Sequence, residues 1–381
     1  MSLSFYVHIP YCVRRCGYCD FNTYTPGELQ AGSDSVAGAS QGYIEAVLGE
    51  ITQAHQELGR REISTIFFGG GTPTLLPANH LGQVLGELST RFGLSKDCEI
   101  TTEANPDSVT AASLSQLREV GFNRISFGVQ SVKSHVLKVL DRTHDARRVG
   151  EVVRLARATG FESISVDLIY GTPGESIADF DESLTYALAL PIDHLSAYAL
   201  IVEQGTKFGA AVKRGDVVMP DDDETAEKYQ LLDDRMHDAG FEWYELSNWS
   251  KAGHECRHNR AYWVSADWWG LGAGAHSHLN GRRWWNHKHP KSYIDAITSK
   301  QPPASETETL THDEKLIESL MLRIRMRSGI DLSEVDRSQR AVLDSFLERG
   351  LFDTQQWQDG RIVLSLKGRL LADQVVRELV S

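Results

Sequence analysis

The chain contains no apolar stretch of the roughly 18 residues that a membrane-spanning helix needs, so no such helix is expected. Positive charge is scarce. Its 39 Lys and Arg face 52 Asp and Glu, giving a net charge of −13. A protein that grips a phosphate backbone normally carries a basic face. None is evident, so nucleic acid is not the expected partner. Arg14–Arg15 and Arg282–Arg283 remain as local spots for a small anion. The opening MSLSFYV has neither the charged region nor the apolar stretch of a signal peptide, which predicts a cytoplasmic protein. A peripheral membrane contact and a homodimer are both compatible with the sequence. Cysteine is sparse and odd in number, five in all. That speaks against a disulfide framework, and the crowding of three of them points to metal or catalysis.

Apolar residues make up 41% and charged residues 24% of the 381 positions, an ordinary globular balance. The length suggests two or three domains. Strand patterns occur at Phe5–Ile9, Ile63–Phe68, Glu99–Glu103, Arg124–Phe127, Ser163–Ile169 and His194–Ala199. Between them, residues 43–58, 78–91, 110–119, 145–158 and 176–189 show the three- and four-residue apolar spacing of helices. This β-α alternation predicts an α/β fold with a parallel sheet. The motifs cluster at the C-terminal strand ends, which favours a partial (β/α)6 barrel over an open sheet.

Three segments are expected. Residues 1–210 form the barrel. Residues 211–310 form a Trp- and His-rich connecting region, entered through the helix-starting acids Asp221-Asp222-Asp223-Glu224. Residues 311–381 show a helix, helix, helix, strand, helix order like that of a winged helix. With 11 Lys/Arg and 12 Asp/Glu this last segment is not basic, so it reads as a packing domain and not as a DNA-binding regulator. The Gly-, Ser- and Ala-rich residues 25–42 read as a mobile loop.

Cys12, Cys16 and Cys19 have the spacing C-x3-C-x2-C directly after the first strand. Thiolates are the usual ligands of iron–sulfur clusters. A [4Fe–4S] cube with three protein thiolates keeps one iron open, and an open coordination site implies chemistry, as at catalytic zinc. A zinc site completed by His8 is the alternative. The second strand runs into Gly69-Gly70-Gly71-Thr72-Pro73, where glycines permit close backbone approach and exposed amide donors. The Lys-Ser/Thr of a phosphate-binding loop is missing. Glu103, Gln130, Arg142 and Asp167 stand at later strand ends or in adjoining loops, aimed at one cavity.

These residues resemble the radical SAM superfamily. YVHIPYC followed by C-x3-C-x2-C-D-F is similar to the family that holds oxygen-independent coproporphyrinogen III oxidase (HemN) and the HemW-like haem chaperones. The resemblance implies a [4Fe–4S] cluster on Cys12, Cys16 and Cys19, with S-adenosylmethionine (SAM) on the open iron. An electron from the cluster then cleaves the sulfonium to a 5′-deoxyadenosyl radical. It also implies SAM contacts from Gly70, Gly71 and Thr72 of the GGGTP loop, from Glu103, Gln130, Arg142 and Asp167, and from the aromatic positions Tyr6 and Tyr18.

The oxidase carries a further cysteine where this chain has Phe21, which speaks against coproporphyrinogen decarboxylation. His258-Asn259-Arg260-Ala261-Tyr262-Trp263 resembles the HNxxYW motif associated with haem in the chaperone branch. Imidazole ligates iron and aromatic rings cover the macrocycle; an ordinary packed loop is the plain alternative. His258, Tyr262 and Trp263 are therefore the expected haem residues, with Cys256 and His276 as rival ligands. The resemblance implies a chaperone that passes haem to acceptor haemoproteins. A radical SAM enzyme acting on a tetrapyrrole, by decarboxylation, ring opening or methyl transfer, is the second reading.

Overall fold

The computed structural model describes residues 3–29, 36–336 and 339–380. Positions 30–35, the middle of the expected 25–42 loop, lie outside the described residues. The helix expected from residue 43 already begins at Val36 and runs to Leu58, so the C-terminal part of that supposed loop is helical.

Six parallel strands stand side by side in sequence order: β1 (Leu3–Ile9), β2 (Ile63–Gly70), β3 (Leu94–Ala104), β4 (Arg124–Gln130), β5 (Ser163–Tyr170) and β6 (His194–Ala199). Helices join them, the last of the expected five running from Ile177 to Leu188 behind a Ser176–Asp179 capping box. The expected α/β partial barrel is the observed fold.

Side chains alternate across a strand. One set, including Phe5, Val7, Phe68, Ile125, Phe127, Val166 and Leu195, is fully buried in the core beneath the helices. Each such side chain contributes about 1.5–3 kcal/mol by leaving water. Truncating one of the larger, Phe68→Ala, should cost about 3–5 kcal/mol. The opposite set is polar: Thr101 and Glu103 on β3, Arg124 and Ser126 on β4, Ser165 and Asp167 on β5, His194 and Ser196 on β6. Parallel strands are usually apolar on both faces. A polar inner face marks a barrel that holds ligand in place of packed core.

The Trp- and His-rich segment does more than connect. It supplies six strands that extend the same sheet at both edges: β7 (Glu242–Glu245), β8 (Asn248–Ser250), β9 (Asp267–Leu271), β10 (His276–Leu279), β11 (Arg282–Asn286) and β12 (Ala304–Thr309). The sheet order is β12-β11-β10-β9-β1-β2-β3-β4-β5-β6-β8-β7. β9 lies parallel to β1, pairing Gly270 with Tyr6. The remaining edge strands are antiparallel.

Residues 311–380 are largely helical, with a two-stranded ribbon pairing Ile330–Asp331 with Arg361–Ile362. They have their own core around Leu343, Phe346, Leu351 and Val375. Arg369 docks this unit. Its guanidinium donates to Asp233 at 2.7 Å and lies 4.4 Å from the centre of the Trp243 ring. Arg283 on β11 also pairs with Glu318 of the helix His312–Arg323.

Candidate functional site

The loop after β1 is pinned to itself. Cys12 N donates to Tyr24 O at 3.1 Å and Tyr24 N to Pro10 O at 2.7 Å. Cys12, Cys16 and Cys19 are thereby held at the C-terminal end of the strands, free and partly buried, around one cavity of about 430 Å³. Burial pushes the Cys12 thiol up to about 11 and also raises Cys19, with the neighbouring thiols adding to both shifts. A bound metal reverses that balance by holding thiolate. Among the described residues no three His, Cys, Asp or Glu are arranged around a single ion. Three thiols lining one cavity suit a cluster, in which each thiolate would bind a different iron. His8, the candidate fourth ligand of a zinc site, has Nε2 2.8 Å from Asn22 O and Nδ1 3.0 Å from the Tyr6 hydroxyl.

Gly70, Gly71, Thr72, Glu103, Gln130, Arg142, Asp167 and Tyr18 line the same cavity. The glycine loop needs its glycines. A Cβ at Gly71 would stand 2.4 Å from Tyr11 O, and Gly70 has φ of 108°. One expectation is corrected here. The loop does not expose amide donors: Gly70 N donates to Glu103, Gly71 N to Ile9 O and Thr72 N to Tyr11 O. What stays available is the acceptor side of the loop, which suits an ammonium group.

Arg142 lies across the floor. Its Nη1 is 3.6 Å from Cys16 Sγ, its Nη2 donates to Gly128 O, and its buried Nε has no partner among the described residues. A buried donor without a partner costs about 1–3 kcal/mol, so this nitrogen fits a ligand carboxylate. Glu103 is pushed up to about 7 by burial, with the Asp167 charge adding to the shift. Burial also raises Asp167, against hydrogen bonds from Ser196 and Ser126, the latter at 3.0 Å. Gln130 is held at φ of +66°, a left-handed conformation uncommon outside glycine. The cavity thus joins three thiols, carbonyl acceptors, the carboxyls of Glu103 and Asp167 and an unpartnered guanidinium NH. That donor set fits an iron–sulfur cluster with an amino acid-bearing cofactor.

The sequence profile of the Radical SAM superfamily matches residues 6–187. Across 375 residues the chain is 42% identical to a protein of Mycobacterium tuberculosis named heme chaperone HemW, covering 98% of this chain and 94% of the relative. A Bacillus subtilis protein of the same name is 34% identical, covering 98% and 97%. The chain belongs to the HemW family of radical SAM proteins. Among solved structures, coproporphyrinogen III oxidase (HemN) from Escherichia coli superposes with a TM-score of 0.83, at 23% identity over 99% of this chain and 90% of that one. At that identity the likeness establishes the fold.

In this HemW-family chain the SAM-site expectations part company at Tyr6. It stacks on Phe67, with centroids 6.3 Å apart, and lines two further cavities but not the cluster cavity. The first of these is the barrel interior, about 520 Å³, walled by the polar inner face. Phe21 is 61% exposed and borders all three cavities.

The haem-associated segment forms the helix Arg257–Trp263, whose N-terminus is tied to Glu99 through the backbone amides of Arg257 and His258. His258 borders the barrel interior, but both of its ring nitrogens are engaged. Nδ1 lies 2.8 Å from Thr65 Oγ1, and Nε2 lies 2.8 Å from the Tyr262 hydroxyl. Because the Thr65 hydroxyl donates to Ser4, the consistent tautomer places the proton on Nδ1, with Nε2 capped by Tyr262. Burial lowers His258 to about 3, so it is neutral. In this conformation it offers no free lone pair to an iron. Cys256 is no better placed: its thiol faces Glu99 and is pushed up to about 12 by burial. Trp263 lines none of these cavities, whereas Tyr262 borders both the barrel interior and an outer cleft.

That outer cleft encloses about 1160 Å³ between β1, β10, β11 and the helix His312–Arg323. Arg283, half of an expected anion spot, borders it, as do Trp268, Trp285 and Lys288, which the sequence reading did not select. For Ser126 and Ser196, also missed, a signal existed: each shares the inward parity of Arg124 or Tyr198 on its own strand. The outer-cleft residues had none, because their strands are short and pair with partners distant in sequence.

Proposed function

We propose that this chain is a haem chaperone: it holds haem as cargo beside a [4Fe–4S] cluster and SAM, and hands haem to acceptor haemoproteins. The observation that carries the reading is a three-thiol cavity bordering a much larger cleft, with Phe21 on the rim of both. Similarity over nearly the full length to proteins named heme chaperone supports it.

Cys12, Cys16 and Cys19 would hold the cluster. Gly70, Gly71 and Thr72 would offer their carbonyls to the cofactor's amino group. Arg142 Nε would face its carboxylate, with Glu103, Gln130, Asp167 and Tyr18 completing the wall and Tyr6 backing it from the barrel side. When bound, the pair supplies one-electron reduction of a sulfonium. Tyr262 contributes to the wall next to the cargo, and His258 fixes Tyr262 from behind. The work divides along the chain: residues 1–210 carry cluster and cofactor, 211–310 build the cleft, and 311–381 cover it. No helix among the described residues is long and apolar enough to cross a membrane.

The test separates cargo from substrate. Anaerobically reconstituted protein with SAM, a reductant and coproporphyrinogen III should yield no protoporphyrinogen IX. Repeated turnover to that product would replace the chaperone reading with the oxidase one.

A further inference from the structure

Resting on the haem reading, we infer that haem sits in the outer cleft with its iron on His276, not on His258, and its carboxylates toward Lys288. Two histidines border this cleft, His8 and His276. His8 is 5% exposed and has both nitrogens engaged, and burial lowers it to about 4. His276 is exposed at the start of β10, and among the described residues neither of its ring nitrogens has a hydrogen-bond partner. Trp268 Nε1 donates to its carbonyl at 3.0 Å, and its imidazole stacks on Trp285 at 5.5 Å with 20° between the planes. Partial burial and then the Lys288 charge both favour the neutral form of the ring. An iron requires a neutral imidazole with one free ring nitrogen; His276 offers one, whereas His8 and His258 have both engaged.

The cleft also has the shape and chemistry for the rest of the macrocycle. Its volume of about 1160 Å³ lies beyond the roughly 300–1,000 Å³ usual for small-ligand sites. Tyr262, Trp268 and Trp285 give it an aromatic wall, with Tyr262 edge-on to Trp268 at 4.8 Å. Leu310, Ile317 and Met321 give it an aliphatic one. Of its cations, Arg283 is committed to Glu308 and Glu318, and Arg325 to Asp373. Lys288 is exposed and has no ion pair among the described residues, which leaves it for a carboxylate. The open position also suits a carrier, because a ligand at a cleft mouth can be taken over by an acceptor's own side chain, whereas one sealed inside the barrel cannot.

Haem is titrated into the anaerobic, cluster-loaded protein and followed by its Soret band, for wild type, His276→Ala, His276→Gly and His258→Ala. His276→Ala should weaken haem binding about tenfold or more and shift the band. Added imidazole should restore the wild-type spectrum to His276→Gly, since the vacated space admits the free ligand. His258→Ala should keep the wild-type band position. Lys288→Ala should weaken binding without moving the band. The cluster absorbance reports folding in each sample. If wild type binds haem and His276→Ala binds it equally with an unchanged band, while His258→Ala loses it, the assignment to His276 is wrong and the haem reading stands. If wild type binds no haem, the haem reading and this inference fall together.

Discussion

Cys12, Cys16 and Cys19 share their cavity with the carbonyl face of the glycine loop and with Arg142. Replacing any of the three by Ala should remove the broad thiolate-to-iron absorbance, whereas Cys98→Ala and Cys256→Ala should retain it. Cys98 is buried in β3 and Cys256 is bound to Glu99, both outside the cluster cavity. Loss of the cluster in a Cys98 variant would contradict the three-ligand site. Arg142 is separable from the cluster. Arg142→Lys keeps a charge but loses Nε, so SAM affinity should fall about tenfold with cluster absorbance intact; unchanged affinity would show that Nε meets no ligand. The thiols, the glycines and the strand-end polar residues were legible in the sequence because spacing and strand parity are local. The direction of the glycine-loop amides was not. Gly71 N and Thr72 N bond to Ile9 and Tyr11 across more than 60 positions, and no local pattern encodes that approach. His258 was legible as a special residue but not as an engaged one, since its partners Thr65 and Tyr262 arrive from two other places in the fold.

Between elements, Glu50 holds the turn after β9 in place. It is fully buried, and its carboxylate accepts from Gly272 N at 2.8 Å, Asn286 Nδ2 at 2.8 Å and the Tyr293 hydroxyl at 2.6 Å. That fixes helix Val36–Leu58, the glycine-rich 270–274 turn, β11 and helix Pro290–Thr298 against one another. Burial outweighs those donors and lifts the carboxyl to about 7. The folded chain therefore holds a proton that the unfolded chain releases near pH 4.3. Between about pH 4.3 and 7 the unfolded state binds fewer protons, so this group's contribution to stability falls as pH rises. Glu50→Gln removes the titration, so its melting temperature should gain on wild type from about pH 5 to about pH 7.5. A pH-independent difference between the two would contradict the buried, proton-binding state. At this scale the sequence revealed six strands and five helices, because each carries its own period. β7 to β12 escaped it. They are three to six residues long, rich in Trp and His, and β9 completes the sheet by pairing with β1, more than 260 residues earlier.

For the whole molecule, the C-terminal unit helps to make the site, since its helix His312–Arg323 walls the outer cleft. Arg369 is 8% exposed and ties that unit to Asp233, Trp243 and Tyr229. Arg369→Ala should cost about 3–5 kcal/mol, the usual penalty for breaking a buried pair. It should also split urea unfolding into two transitions and weaken haem binding while leaving the cluster intact. A single transition at the wild-type midpoint would show that the docking is incidental. The central claim concerns what the molecule does with its cargo. Haem-loaded, cluster-loaded protein mixed with an apo-haemoprotein under reducing, anaerobic conditions, followed by Soret spectra and mass spectrometry of the haem, tests it most directly. The account predicts that haem appears in the acceptor with its mass unchanged, leaving this chain free of haem and with its cluster in place. Haem that stays bound, or leaves chemically altered, would contradict it.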